Sequence, residues 1–132
     1  MEYWEDEAMK FDDKLLKLNE INGIIVISPQ VDFTASMERS IDDIYHGLCE
    51  KGYKKVLFEF LPKNHITSGG MAILFGLIRK SQKNGQVICI TGLSKHFKKT
   101  FDMVGITRYT TIYESVEDAL QKMSQPVSSC RD

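Results

Sequence analysis

From Lys54 onward the chain switches regularly between two hydrophobic patterns, and this switching restricts its fold more than any other feature. "KKVLFEF" (54–60) and "GQVICI" (85–90) are short apolar runs of the kind buried in sheets, and "TRYTTIY" (107–113) is rich in β-branched and aromatic residues. The intervening segments carry apolar residues at three- and four-residue intervals. Met71, Leu74, Phe75 and Ile78 share one face of a helix. Leu93, Phe97, Phe101 and Val104 share another, opposite Lys95, Lys98, Lys99 and Asp102. "SVEDALQKM" (115–123) opens on the Ser-x-x-Asp start signal of a short final helix. Strands alternating with helices imply right-handed crossovers, neighbouring parallel strands and helices layered on the sheet.

Upstream, "KLLKLNEINGIIVIS" (14–28) reads as two strands joined at Asn22-Gly23, residues that tolerate positive φ, and therefore as a hairpin. "TASMERSIDDIYHGLCEKG" (34–52) spaces Met37, Ile41, Ile44, Tyr45 and Leu48 as one helical face. It has Thr34 or Ser36 as a cap and Gly52 as a stop. Pro62, lacking an amide donor, ends the strand at 54–60. The expectation is an α/β domain over 13–123 between tails at 1–12 and 124–132. Its mixed, mostly parallel sheet has about five strands, with four helices beginning near 35, 69, 94 and 115.

Composition narrows the function. The 132 residues suit one core, and a net charge of −1 with 27% charged residues is that of an ordinary globular protein. Charge is nevertheless segregated: residues 1–50 hold twelve Asp/Glu against four Lys/Arg, and 51–113 hold two against eleven. A basic surface around Arg79, Lys80, Lys83, Lys95, Lys98 and Lys99 could meet an acidic partner or be solvated. Phe97 and Phe101 are spaced for a core, so no nucleic-acid partner is expected. No apolar run approaches the ~20 residues of a membrane span. The opening "MEYWEDEAMK" also lacks the pattern of a signal peptide. No membrane insertion and a cytoplasmic location are therefore expected. Cys49, Cys89 and Cys130 are widely spaced, outside any CxxC, and read as reduced thiols.

The segment most charged with functional meaning is "NHITSGGMAIL" (64–74), a hydroxyl pair and a glycine pair between strand and helix. Backbone amides at a helix start can hold an anion. "TSGG" lacks a Walker lysine and the spacing of G-x-S-x-G, so NTP hydrolysis and a hydrolase elbow are not supported. A Ser68–His65 pair has no evident orienting acid, and His46, His65 and His96 lack metal-ligand spacing. No enzyme activity, cofactor or metal is expected. Glu59 and Asp32 could form a carboxylate pair, act as surface charges or contact a partner. If Thr67 or Ser68 caps the helix, Gly69 and Gly70 leave its entrance sterically open, and alanine at either would impede a partner. Ile73 and Leu77 widen the following helix's apolar arc, while Ala72 and Gly76 form a shallow strip suited to helix packing or to a partner.

The order of "ISPQVDF" (27–33), "VLFEFLPKNHITSGG" (56–70) and "FDMVGITRYTTIYESVEDAL" (101–120) resembles the STAS domain family, over roughly residues 13–122. The resemblance implies the STAS fold. Asp32 takes the place of the acid after the family's second strand, Glu59 that of the strand-end acid, and Ser68 that of the phosphoacceptor in "D-S-S/T-G". Thr67 stands where the family has Asp, Gly69 where it has a second Ser/Thr, and Pro29 where it often has glycine. The implied function is that of an anti-sigma-factor antagonist, a non-enzymatic signalling switch. Its partners would be a serine kinase that is also an anti-sigma factor, and a Ser/Thr phosphatase. Taken with the open helix entrance and the shallow strip, the expected interface comprises Asp32, Thr67, Ser68, Gly69, Gly70, Ala72, Ile73 and Gly76. The same resemblance admits a cytoplasmic accessory subunit of a membrane transporter.

Overall fold

The computed structural model describes residues 16–124. β1 (Leu16–Ile21) and β2 (Ile24–Pro29) form the expected hairpin, with Asn22 and Gly23 at φ 54° and 81° supplying the left-handed turn. A 3₁₀ turn (Ala35–Met37) leads into α1 (Glu38–Glu50), followed by β3 (Lys55–Glu59) and α2 (Ser68–Lys83). Next come β4 (Val87–Thr91), α3 (Lys95–Met103), a second 3₁₀ turn (Ile106–Arg108), β5 (Ile112–Tyr113) and α4 (Val116–Met123). The sheet order is β1-β2-β3-β4-β5, with β1 antiparallel and the remaining pairs parallel. The expected mixed sheet, with its four helices, is therefore present.

Alternation along each strand separates two cores. Ile25, Ile27, Val56, Phe58, Ile88 and Ile90 point to the layer built from α1, α2 and α3. Ile24, Val26, Leu57 and Cys89 point to the opposite face, where Ala119 and Met123 of α4 pack. Thr67, Ser94 and Ser115 each cap a helix by accepting an amide N–H three residues on, at 3.0, 3.3 and 3.1 Å.

Two expectations about the C-terminal third are corrected. "TRYTTIY" is a strand only at Ile112–Tyr113, because Gly105 (φ 85°) turns the chain into the 3₁₀ segment that takes up Ile106–Arg108. Val104 lies outside the core, 58% exposed, because α3 ends at Met103 and the chain leaves the sheet. The first and last tails, including Cys130, fall mainly outside the described residues. Cys49 is an exposed free thiol, and Cys89 is buried between the sheet and α4. Among the described residues no helix is long and apolar enough to cross a membrane.

Candidate functional site

Parallel strands direct the loops after β2, β3 and β4 to one end of the sheet, and the helix starts gather there. Beyond the strands proper, the loop after β2 stays paired with the loop after β3 through a parallel bridge between Phe33 and Ile66. The Phe33 amide donates to the His65 carbonyl (2.8 Å), and the Thr67 amide donates to the Phe33 carbonyl (3.0 Å). Asp32 reinforces this junction: its exposed carboxylate accepts the His65 amide at 3.0 Å. The Phe33 ring lies edge-on to Phe58 and Phe60, centroids 6.2 and 5.5 Å apart, which anchors the junction in the core.

Asp32 and Glu59 do not form a carboxylate pair. Glu59 instead accepts the Ser28 hydroxyl at 2.9 Å across the β2–β3 register. His65 does not bond to Ser68 either; its ring lies edge-on to Phe97 at 5.5 Å, and His96 flanks the same phenylalanine at 4.9 Å.

The two hydroxyls of "TSGG" have different surroundings. Thr67 is the N-cap of α2, with its oxygen accepting the Gly70 amide at 3.0 Å and its hydroxyl directed at the Phe33 carbonyl at 3.4 Å. Its hydrogen-bonding capacity is engaged on both sides. Ser68 is the first helical residue, is exposed, and makes no side-chain hydrogen bond to the described residues. Its hydroxyl therefore stands at the positive end of a helix of 16 residues, where a negative charge is tolerated.

The glycine pair departs from expectation. The helix entrance is occupied by the chain itself: a Cβ on Gly69 would stand 2.8 Å from Ala35 Cβ, and one on Gly70 would stand 2.3 Å from the Phe33 carbonyl oxygen. These glycines let the first turn of α2 press against the loop after β2. Gly76 is different, since a Cβ there would meet no atom within 4 Å. Ser68, Ala72 and Gly76 are all exposed and four residues apart, so they line up as one stripe along α2, with half-buried Ile73 beside it. The stripe continues towards Arg79 and Lys80, whose side chains lie over the rings of Tyr109 and Tyr45 at 5.7 and 5.5 Å.

The family model for the STAS domain matches residues 16–119. The chain belongs to the STAS domain family. Solved structures of the same fold include a candidate anti-sigma factor antagonist from Thermotoga maritima. It is 12% identical, with 83% of this chain and 95% of that chain covered and a TM-score of 0.73. A serine-to-glutamate variant of RsbS from Moorella thermoacetica is 13% identical, with 82% and 93% covered and a TM-score of 0.69. The phosphorylated form of the Bacillus cell fate determinant SpoIIAA is 14% identical, with 82% and 98% covered and a TM-score of 0.60. No curated protein sequence matches this one significantly. The fold and family were readable from segment order. Sequence reasoning missed the Phe33 junction and the Ser28–Glu59 bond, for which the sole signal was the strand register.

Proposed function

We propose that this STAS domain is a non-enzymatic partner switch resembling an anti-sigma-factor antagonist. It binds a serine kinase that doubles as an anti-sigma factor, and it leaves when that kinase phosphorylates Ser68. A Ser/Thr phosphatase restores the free hydroxyl.

One observation carries this reading: Ser68 has an exposed, unbonded hydroxyl on the first turn of α2, beside a threonine whose hydroxyl is engaged as the cap. Exposure lets a kinase reach the oxygen. The backbone amides of the helix start accommodate the product, which carries about −1.5 to −2 charges. An interface fitted to a neutral hydroxyl loses affinity when that charge arrives, because desolvating an unpaired phosphate is costly. Asp32, Thr67, Gly69 and Gly70 hold the surrounding surface in shape, and Ala72, Ile73 and Gly76 extend it along α2. The candidate antagonist from Thermotoga maritima and the anti-sigma factor antagonist SpoIIAA support this reading through their shared fold.

The test is site-resolved mass spectrometry after incubation with the native kinase, paired with binding by Ser68→Ala and Ser68→Asp. Phosphate on Ser68, retained binding by the alanine variant in ATP and weakened binding by the aspartate variant are expected. Modification confined to Thr67, or equal binding by the two variants, would overturn the reading.

A further inference from the structure

The helical layer that includes α2 also separates exposed charge by sign. On α1, Glu38, Asp42, Asp43 and Glu50 are exposed, with Arg39 among them and Lys51 just past the helix end. None of the four carboxylates makes an ion pair with the described residues. On α3, Lys95, Lys98 and Lys99 line an open groove of about 430 Å³, together with Asp102, Thr107 and Ile112. Lys98 meets Glu114 at 3.0 Å, whereas Lys95 and Lys99 make no ion pair with the described residues. Met103 and Val104, 75% and 58% exposed, add apolar surface at the end of the same helix.

These two charged surfaces do not meet within one molecule. α2 intervenes: its Lys80 lies 5.5 Å from the Tyr45 ring of α1, and its Phe75 ring lies 5.1 Å from the Phe101 ring of α3. We propose that the acidic face of α1 docks onto the lysine groove of α3 on a second copy of this chain. Charge complementarity selects this occupant, since each molecule displays both halves with most of their charges unpaired.

The contact joins two different surfaces, so it is heterologous. Each added copy leaves one groove and one acidic face available, and association continues into chains or closes into a ring. Exposed ion pairs are individually weak and screened by salt. Association is therefore concentration-dependent at low ionic strength and disappears at high ionic strength.

Two neutralised variants test the geometry by sedimentation equilibrium, with circular dichroism confirming the fold of each. One is Lys95→Gln with Lys99→Gln, and the other is Asp42→Asn with Asp43→Asn. Wild-type protein at low salt should exceed the monomer mass and return to it at high salt. Each variant alone should remain monomeric. Their equimolar mixture should form a heterodimer and nothing larger, because one variant keeps an intact acidic face and the other an intact groove. A wild-type monomer at every concentration, association indifferent to salt, a variant that still associates alone, or a mixture that stays monomeric would each overturn the proposal.

Discussion

The α-carbon of Gly70 packs against the Phe33 carbonyl so closely that a Cβ would stand 2.3 Å from that oxygen, although the two lie 37 positions apart in sequence. The same carbonyl accepts the Thr67 amide, so neither partner can move freely. Gly70→Ala must push the start of α2 away from the loop after β2. Overpacking of this kind costs about 1–3 kcal/mol. Urea unfolding should show that loss even without a partner. Unchanged stability in Gly70→Ala would show that the junction yields cheaply.

Thr67→Ala removes the acceptor for the Gly70 amide and should cost about 1 kcal/mol. Thr67→Asp, which installs the acid that the STAS family commonly has here, keeps an acceptor and adds a negative charge at the helix start. It should retain or exceed wild-type stability at neutral pH. Parallel thermal unfolding of the two variants checks the contrast. An aspartate variant as unstable as the alanine variant would mean that Thr67 matters through its packing or its contact with Phe33, rather than as a cap.

How much of this site was legible depends on sequence distance. A capping hydroxyl at Thr67 or Ser68 and a helix starting near 69 are local features legible from local spacing; the structure puts the cap at Thr67 and the start at Ser68. The role of Gly69 and Gly70 was misread because their neighbours, Ala35 and Phe33, approach only after β2 and β3 pair in parallel. Composition also misled at "TRYTTIY": Thr107 and Tyr109 suit a strand, yet Gly105 turns the chain and places Ile106 in the core from a 3₁₀ turn. Val104 kept the helical spacing but lay one residue beyond the helix.

Tyr45 links stability to alkaline pH. Its hydroxyl donates to Gln86 Oε1 and accepts from Asn84 Nδ2 at 3.0 Å. Burial raises its pKa above the ordinary tyrosine value; the bond from Asn84 opposes this in part, and nearby Cys49 adds to it. The folded state thus holds the proton more tightly than the unfolded chain. That contribution is complete below about pH 10 and is lost as pH rises from the unfolded pKa through the folded one. Tyr45→Phe should lower stability at neutral pH by about 1–3 kcal/mol, since Gln86 and Asn84 lose a partner. It should also flatten the alkaline decline, leaving the part due to Tyr53, whose pKa burial also raises. Urea titrations at neutral pH and near pH 11 measure both effects. An identical decline in the variant would place the responsible proton elsewhere.

Gly76 separates folding from partner binding within one substitution. It sits in the third turn of α2, exposed, with open space where a Cβ would go, and on the stripe that begins at Ser68 and Ala72. In an isolated domain, alanine should stabilise this helix by about 0.5–1 kcal/mol, because glycine loses more backbone freedom on folding. If the proposed partner lies against the stripe, the added methyl intrudes between the two surfaces, and affinity should fall while stability rises. Neither a misfolded domain nor a solvated helix face produces that opposite pair of changes. Binding of Gly76→Ala to the kinase, measured with its urea midpoint, therefore tests whether the interface extends past the first turn. Raised stability with unchanged affinity would confine the contact to the residues around Ser68.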